Sequence, residues 1–134
     1  FDIIKAYKEF ESDRIILRQT LPRNIFVNLL RSAKALAGNS SMGLLEAPLY
    51  KLPVVNIGNR QRGRLNAGNV RYVGYSKSEV IEALDHAVFD SDYRDFISNL
   101  NNPYGSGDAA DIAIKFLKSI DLNDRKWAVK QKLI

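Results

Sequence analysis

The feature that most constrains this chain is the alternation of short apolar segments with segments whose apolar residues recur at helical spacing. The predicted strands are residues 14–17, 35–38, 54–57 and 70–73. The predicted helices are residues 1–10, Pro22 to Ala33, a short helix opened by Ser40 and Ser41, Ser76 to Val88, residues 90–100, and Asp108 to Ile120. Ser76 with Glu79 three residues later has the form of a capping box, and Asp108 is predicted to cap the last helix. This alternation predicts an α/β fold with a parallel sheet, in which ligands collect beyond the carboxyl ends of the strands.

The junction after the second predicted strand has the composition of a phosphate site. It contains Gly38, Asn39, Ser40 and Ser41, which are small or hydrogen-bonding residues at the start of a predicted helix. Small side chains let a ligand approach the backbone, and free N–H groups with two hydroxyls can hold an anion. Glu46 follows within two turns, so its carboxylate could accept hydrogen bonds from the ribose of a nucleotide whose phosphates lie at Ser40.

A second polar loop follows the next predicted strand and contains Arg60, Gln61, Arg62 and Arg64. The carboxyl ends of parallel strands share one edge, so this loop and the serine junction should emerge on the same side of the sheet. A guanidinium group suits phosphate oxygens because its planar fork donates two charge-assisted hydrogen bonds. The three arginines are therefore predicted to face the phosphate site, although one would suffice.

Composition excludes several classes of protein. The 134 residues include no cysteine and one histidine, so neither a thiolate site nor a histidine metal cluster is expected. No apolar run approaches the ~20 residues of a membrane span, and the first residues lack the charged and then hydrophobic pattern of a secretory leader, so neither a membrane nor a secreted protein is expected. The net charge of +5 is spread among acidic residues, which does not favour nucleic-acid binding. These observations are compatible with a cytoplasmic protein without a metal or organic cofactor.

Several ordered motifs resemble the hydrolysing UDP-N-acetylglucosamine 2-epimerases of sialic-acid and related nonulosonate pathways. The motifs are Gly38-Asn39-Ser40-Ser41-x-Gly43 with Glu46, Pro53-Val54-Val55-Asn56-Ile57-Gly58-x-Arg60-Gln61-x-Gly63-Arg64, Asn69-Val70, and Asn102-Pro103-Tyr104-Gly105-x-Gly107 with Ala109. The resemblance continues through residues 115–120 and so covers nearly the whole chain. This family includes the epimerase half of the animal bifunctional epimerase/kinase.

The resemblance implies a two-domain enzyme of the glycosyltransferase-B type, with the sugar nucleotide between two Rossmann-like halves. Residues 1–134 would be a single partial nucleotide-binding domain from the latter part of the C-terminal half. The resemblance assigns Ser40 and Ser41 to binding of the diphosphate, Glu46 to the ribose and Arg60 to the phosphate side. It assigns backbone contacts to Leu21 and Met42, and the backbone of Leu21 would contact the uracil. Relatives often carry a small residue where this chain has Met42.

The family reaction eliminates UDP from UDP-GlcNAc and adds water, which yields N-acetylmannosamine with inverted C2. The resemblance places the acid/base residues in the N-terminal half, so the isolated chain is expected to be inactive. It also implies a homo-oligomeric full-length enzyme. The alternatives are a non-hydrolysing epimerase, a UDP-sugar-binding module without turnover, and a glycosyltransferase of the same architecture.

Simpler interpretations stand beside several of these assignments. The two serines could be a helix N-cap, and Arg60 could be a solvated loop charge. Gln61, Arg64 and Tyr104 are further candidate ligand residues, but only one arginine need face the ligand, and Tyr104 could instead fill the interior of the domain. His86 is expected to have no catalytic role. Residues 122–134 are predicted to form a basic helix that packs on the N-terminal domain, with Trp127 as its anchor.

Overall fold

The computed structural model describes residues 2–10, 13–121, 123, 124 and 127. Its strands form one parallel sheet in the order β1-β2-β3, with Gly38 opposite Asn56 and Asn56 opposite Tyr72. The elements are the helices α1 (Asp2–Phe10), α2 (Arg23–Ser32), α3 (Met42–Leu45), α4 (Lys77–Phe89), α5 (Ser91–Ser98) and α6 (Ala109–Ser119), the 3-10 helix Ala47–Tyr50, and the strands β1 (Leu36–Gly38), β2 (Val54–Ile57) and β3 (Val70–Val73). The predicted α/β alternation is confirmed.

The predicted first strand, residues 14–17, is wrong. This segment is a turn followed by irregular chain, and the side chain of Ile16 is 78% exposed. A strand needs a neighbour for its backbone N–H and C=O groups. The described part of the sheet pairs β1, β2 and β3 only with one another, so an Ile-rich sequence is not enough to form a strand here.

The core lies on both faces of the central strand. Val54 and Val55 are consecutive and therefore point to opposite faces, and both are buried. On one face, Val54 packs with Leu30 of α2, with Ala47 of the 3-10 helix and with Leu52. On the other face, Val55 belongs to a cluster with the β3 and α4 residues Val73, Ala83 and Ala87. Burial on both faces of the sheet thus explains why β2 begins with a short run of β-branched residues.

Two predicted helix caps form differently from expectation. Ser76 occupies the N-cap position of α4 but makes no capping bond, and Glu79 accepts a hydrogen bond from the Gly74 N–H at 2.9 Å. The predicted capping box is therefore wrong, because its carboxylate reaches past the cap to the preceding turn. Asp108 likewise begins α6 without a capping bond, since its carboxylate accepts from the Ser106 hydroxyl.

The apolar stripe of α6 is exposed within the described part of the chain. Ile112, Phe116 and Leu117 are all at least half exposed, and the ring of Trp127 meets the Phe116 ring edge-on at 5.7 Å between centroids. The predicted basic helix lies mostly outside the described residues, so its packing stays a prediction. Among the residues described, none of the helices combines the length and apolar character required to cross a bilayer.

Candidate functional site

The two polar loops predicted to share one sheet edge do so. β1 and β2 are parallel neighbours, so the segments after Gly38 and after Ile57 leave the same carboxyl edge. A direct hydrogen bond joins these segments, because Gln61 Nε2 donates to the carbonyl oxygen of Asn39 at 2.9 Å. We call Ser40, Ser41, Glu46 and Arg60 the carboxyl-edge site.

The serine junction opens a helix of only four residues, α3. Ser40 is exposed, and its hydroxyl oxygen accepts a hydrogen bond from the Met42 N–H at 3.3 Å. The Ser41 carbonyl accepts from the N–H groups of Leu44 and Leu45, both at 3.0 Å. The N–H groups of Met42, Gly43 and Leu44 already donate to the two serines. The dipole of so short a helix is also small, so attraction for an anion has to come chiefly from the serine hydroxyls and not from free helix amides.

Two buried residues hold the junction against the sheet. Gly43 lies so close to β2 that a Cβ atom built there would be 2.8 Å from Cγ1 of Val54. Asn69, which is fully buried, donates through Nδ2 to the carbonyl oxygens of Gly43 and Leu52, both at 3.1 Å. The glycine allows close contact and the asparagine amide fixes it, which sets where the serines stand.

Glu46 follows α3 and is paired across the surface with Arg23. The distance from Arg23 Nη2 to Glu46 Oε2 is 2.6 Å, and the glutamate side chain is 32% exposed. The hydrogen bond to Glu46 and the charge of that carboxylate raise the pKa of the Arg23 guanidinium. Sequence reasoning missed Arg23, because the two residues are 23 positions apart and no local pattern joins them. Leu21, the predicted uracil contact, is partly buried two residues before this arginine.

The three loop arginines are not equivalent. Arg62 donates through Nε to Asn59 at 2.9 Å, and its guanidinium lies 5.5 Å from the centroid of the Tyr72 ring. Arg64 donates to Gln61 Oε1 at 2.7 Å. Arg60 is exposed and makes no hydrogen bond or ion pair with the described residues. It is therefore the loop arginine whose guanidinium is available to a ligand.

The side chain of Gln61, predicted as a possible ligand contact, is turned into the protein. It is 2% exposed, its amide nitrogen binds the Asn39 carbonyl, and its amide oxygen accepts from Arg64. Both ends of the amide are thus used inside the fold. We interpret Gln61 as the link between the serine junction and the arginine loop.

The loop that contains Asn102, Pro103 and Tyr104 contacts both α3 and the chain that follows the arginine loop. Asn102 Nδ2 donates to the Leu45 carbonyl at 3.4 Å, and the Tyr104 hydroxyl donates to the Leu65 carbonyl at 2.8 Å. Tyr104 is 46% exposed, so part of its ring faces solvent beside the loop. A separate pocket of about 380 Å³ has none of the predicted site residues in its lining, which is Pro48, Leu49, Lys51, Leu100, Asn101, Asn102, Gly105 and Ser106.

The histidine of the chain lies away from the carboxyl-edge site. His86 lies within α4, where its ring centroid is 4.5 Å from that of Tyr93 with the two rings tilted by 43°, and its Nε2 is 3.7 Å from Oδ2 of Asp90. Burial raises the pKa of the Tyr93 hydroxyl, an effect that Arg71 partly opposes. Within the described part of the chain, no three His, Cys, Asp or Glu side chains come together as metal ligands would.

Comparison with known proteins gives one family. The family model described as UDP-N-acetylglucosamine 2-epimerase matches residues 2–118. The GDP/UDP-N,N'-diacetylbacillosamine 2-epimerase (hydrolyzing) of Campylobacter jejuni is 39% identical over 69 residues, which are 52% of this chain and 18% of that protein. The UDP-N,N'-diacetylbacillosamine 2-epimerase (hydrolyzing) of Legionella pneumophila is 30% identical over 124 residues, which are 92% of this chain and 31% of that protein.

A solved structure shows the same fold. The UDP-GlcNAc 2-epimerase from Neisseria meningitidis bound to UDP-GlcNAc superposes with a TM-score of 0.75 at 24% identity, over 89% of this chain and 34% of that one. The likeness confirms the α/β fold expected for a glycosyltransferase-B-type 2-epimerase. The chain spans about a third or less of the length of these relatives.

Proposed function

Since this chain belongs to the UDP-N-acetylglucosamine 2-epimerase family, we propose that its carboxyl-edge site holds the UDP part of a sugar nucleotide. The observation that carries the proposal is the Gln61 bond to Asn39, because it brings the serine junction and the arginine loop together. In this proposal the diphosphate lies between the Ser40 and Ser41 hydroxyls and Arg60. The ribose hydroxyls donate to Glu46, and backbone groups of Leu21 and Met42 complete the contacts.

The proposed reaction is hydrolysing epimerisation, in which UDP leaves a UDP-2-acetamido sugar and water adds to the resulting glycal. Negative charge grows on the diphosphate as the glycosidic bond breaks, so donors already in place lower the barrier. The names of the Campylobacter and Legionella relatives and the Asn-Ser-Ser and Arg-Gln motifs support the hydrolysing form. Free N-acetylmannosamine among the products of the full-length protein would support it, whereas UDP-N-acetylmannosamine would contradict it.

The proposal extends to the setting of the reaction. A relative at 29% identity is named polysialic acid biosynthesis protein P7, which supports a role in supplying an amino sugar for nonulosonate synthesis. We also propose a cytoplasmic, homo-oligomeric full-length enzyme without a cofactor.

The isolated chain is expected to produce no N-acetylmannosamine above background. The carboxyl-edge site supplies donors for the leaving group, but a base for C2 must come from elsewhere in the full-length protein. Product release from UDP-GlcNAc, measured by chromatography with full-length protein as the positive control, tests this. Turnover by the isolated chain would show that this chain contains the base.

Single substitutions in the carboxyl-edge site are expected to weaken UDP binding. Ser40→Ala, Glu46→Ala and Arg60→Ala should each cost about 1–3 kcal/mol of binding free energy, because each removes a hydrogen bond to a charged or sugar group. Calorimetric titration of the full-length protein with UDP measures the loss.

Glu82→Ala is the matched control for Glu46→Ala. Glu82 also accepts from an arginine, Arg71, at 2.7 Å, but it belongs to α4 rather than to the site. Its replacement should leave UDP affinity unchanged. If all three site variants bound UDP like the unaltered protein, the assignment of the carboxyl-edge site would be wrong.

A further inference from the structure

We infer that Arg23 is a positioning residue for the ribose end of the carboxyl-edge site. Arg23 holds one carboxylate oxygen of Glu46, so that the other oxygen is presented to a ribose hydroxyl. The inference rests on the proposed function, because it requires a uridine nucleotide at Glu46. It concerns a residue that the sequence motifs do not include.

The contact uses one carboxylate oxygen and leaves the other. Arg23 Nη2 donates to Glu46 Oε2 at 2.6 Å, while Oε1 accepts no hydrogen bond from the described residues. An ionised carboxylate has about four lone-pair sites, so a single guanidinium contact leaves capacity for ribose donors. A carboxylate fixed at one oxygen also loses less rotational freedom when a ligand binds, which favours affinity.

Core packing places the two partners. Arg23 is the first residue of α2, and Phe26 and Leu30 of that helix pack in the cluster that contains Ala47, the residue after Glu46. The Arg23 guanidinium also lies 5.9 Å from the centroid of the Phe26 ring. The backbone at both ends of the ion pair is therefore held by buried neighbours, which reduces the entropy cost that usually weakens an exposed pair.

The charge of Arg23 also suits a site for a nucleotide diphosphate. A lone carboxylate within a few residues of Ser40 and Ser41 would repel the phosphates that the serines are proposed to bind. The Arg23 guanidinium offsets that charge without removing the acceptor atoms. Glu46 can then accept hydrogen bonds from the ribose hydroxyls with less repulsion of the phosphates.

The test compares UDP with 2′,3′-dideoxy-UDP, which lacks both ribose hydroxyls, by calorimetric titration of the full-length protein. The unaltered protein should prefer UDP. Arg23→Ala should weaken UDP binding roughly three- to tenfold and binding of the dideoxy nucleotide by a clearly smaller factor, because both nucleotides lose the charge that offsets Glu46 but only UDP uses the positioned Glu46 oxygen. Arg23→Lys should recover part of the preference, since it restores the charge without the planar fork. In a Glu46→Ala background, Arg23→Ala should have no further effect on UDP affinity.

Arg31→Ala is the matched control. Arg31 belongs to the same helix and its guanidinium likewise lies 5.9 Å from an aromatic centroid, that of Tyr50. This variant should bind both nucleotides normally, and thermal unfolding should confirm that all variants are folded.

Three results would overturn the inference while leaving UDP binding intact. Equal losses for both nucleotides in Arg23→Ala would indicate a phosphate contact. No loss for either would indicate a surface ion pair without a role in binding. An unaltered protein that binds both nucleotides equally would show that Glu46 does not contact the ribose. If the unaltered protein did not bind UDP at all, the proposed function itself would be wrong.

Discussion

Replacing Asn69 by leucine is expected to lower the free energy of unfolding of the full-length protein by about 2–4 kcal/mol, with a parallel loss of UDP affinity. The Asn69 amide is fully buried and donates to the carbonyl oxygens of Gly43 and Leu52. Leucine has similar volume but no donor, so two buried carbonyls lose their partner. Urea unfolding followed by circular dichroism measures the first effect, and UDP titration measures the second.

Asn69→Asp separates loss of the donor from change of shape. Aspartate keeps the shape of asparagine but replaces the donating nitrogen by an acceptor, so it should destabilise the protein at neutral pH as well. Asn99→Leu is the exposed control, because Asn99 Nδ2 donates only to neighbours at the end of α5 and its loss should cost under about 0.5 kcal/mol. An unfolding midpoint for Asn69→Leu equal to that of the control would contradict the structural role of Asn69.

A strand could be predicted from the sequence where burial on both faces favours a run of β-branched residues. Val54 and Val55 are both buried because β2 has a neighbour strand on each side and packing on each face. Residues 14–17 also include β-forming residues, Ile15 and Ile16, but no described strand lies beside them. A strand pattern reports propensity, whereas pairing depends on residues far away in the chain.

The position of the carboxyl-edge site was also predictable, but not its internal contacts. Parallel topology is enough to place the segments after Gly38 and Ile57 on one edge. The amide of Gln61 was predicted to be available to a ligand, yet it is buried and bonded at both ends. The Arg23 pair with Glu46 was not foreseen at all. The contacts of Arg23 with Glu46 and of Gln61 with Asn39 join residues more than twenty positions apart, so they follow from packing and not from any local spacing.

The serine motif and the buried asparagine are parts of one arrangement. Ser40 is exposed and Ser41 is partly buried, while Gly43 and Asn69 are fully buried and joined by a hydrogen bond from the Asn69 amide to the Gly43 carbonyl. The buried pair holds α3 close to β2, and we expect this contact to fix where the serine hydroxyls stand.

Gly43→Val is the second substitution with a large expected effect, a loss of about 3 kcal/mol in the free energy of unfolding. A Cβ atom at this position would lie 2.8 Å from Cγ1 of Val54, and valine adds two further methyl groups. Val54 is β-branched and 3% exposed, so it cannot rotate away freely. The serine junction must then move from β2, which should weaken UDP binding as well. Urea unfolding and UDP titration of the full-length protein measure both effects.

The collision itself can be isolated by a double-mutant cycle. Val54→Ala alone should destabilise the protein by about 2 kcal/mol because it leaves a cavity. In combination with Gly43→Val it removes the atom that clashes, so the double variant should lose less than the sum of the single losses. Ala109→Val, at an exposed position that begins α6, should cost under about 0.5 kcal/mol. Strictly additive losses of unfolding free energy would show that Gly43 is required for some reason other than its contact with Val54. Full UDP affinity in Gly43→Val would show that the spacing of α3 from β2 does not control the position of the serines.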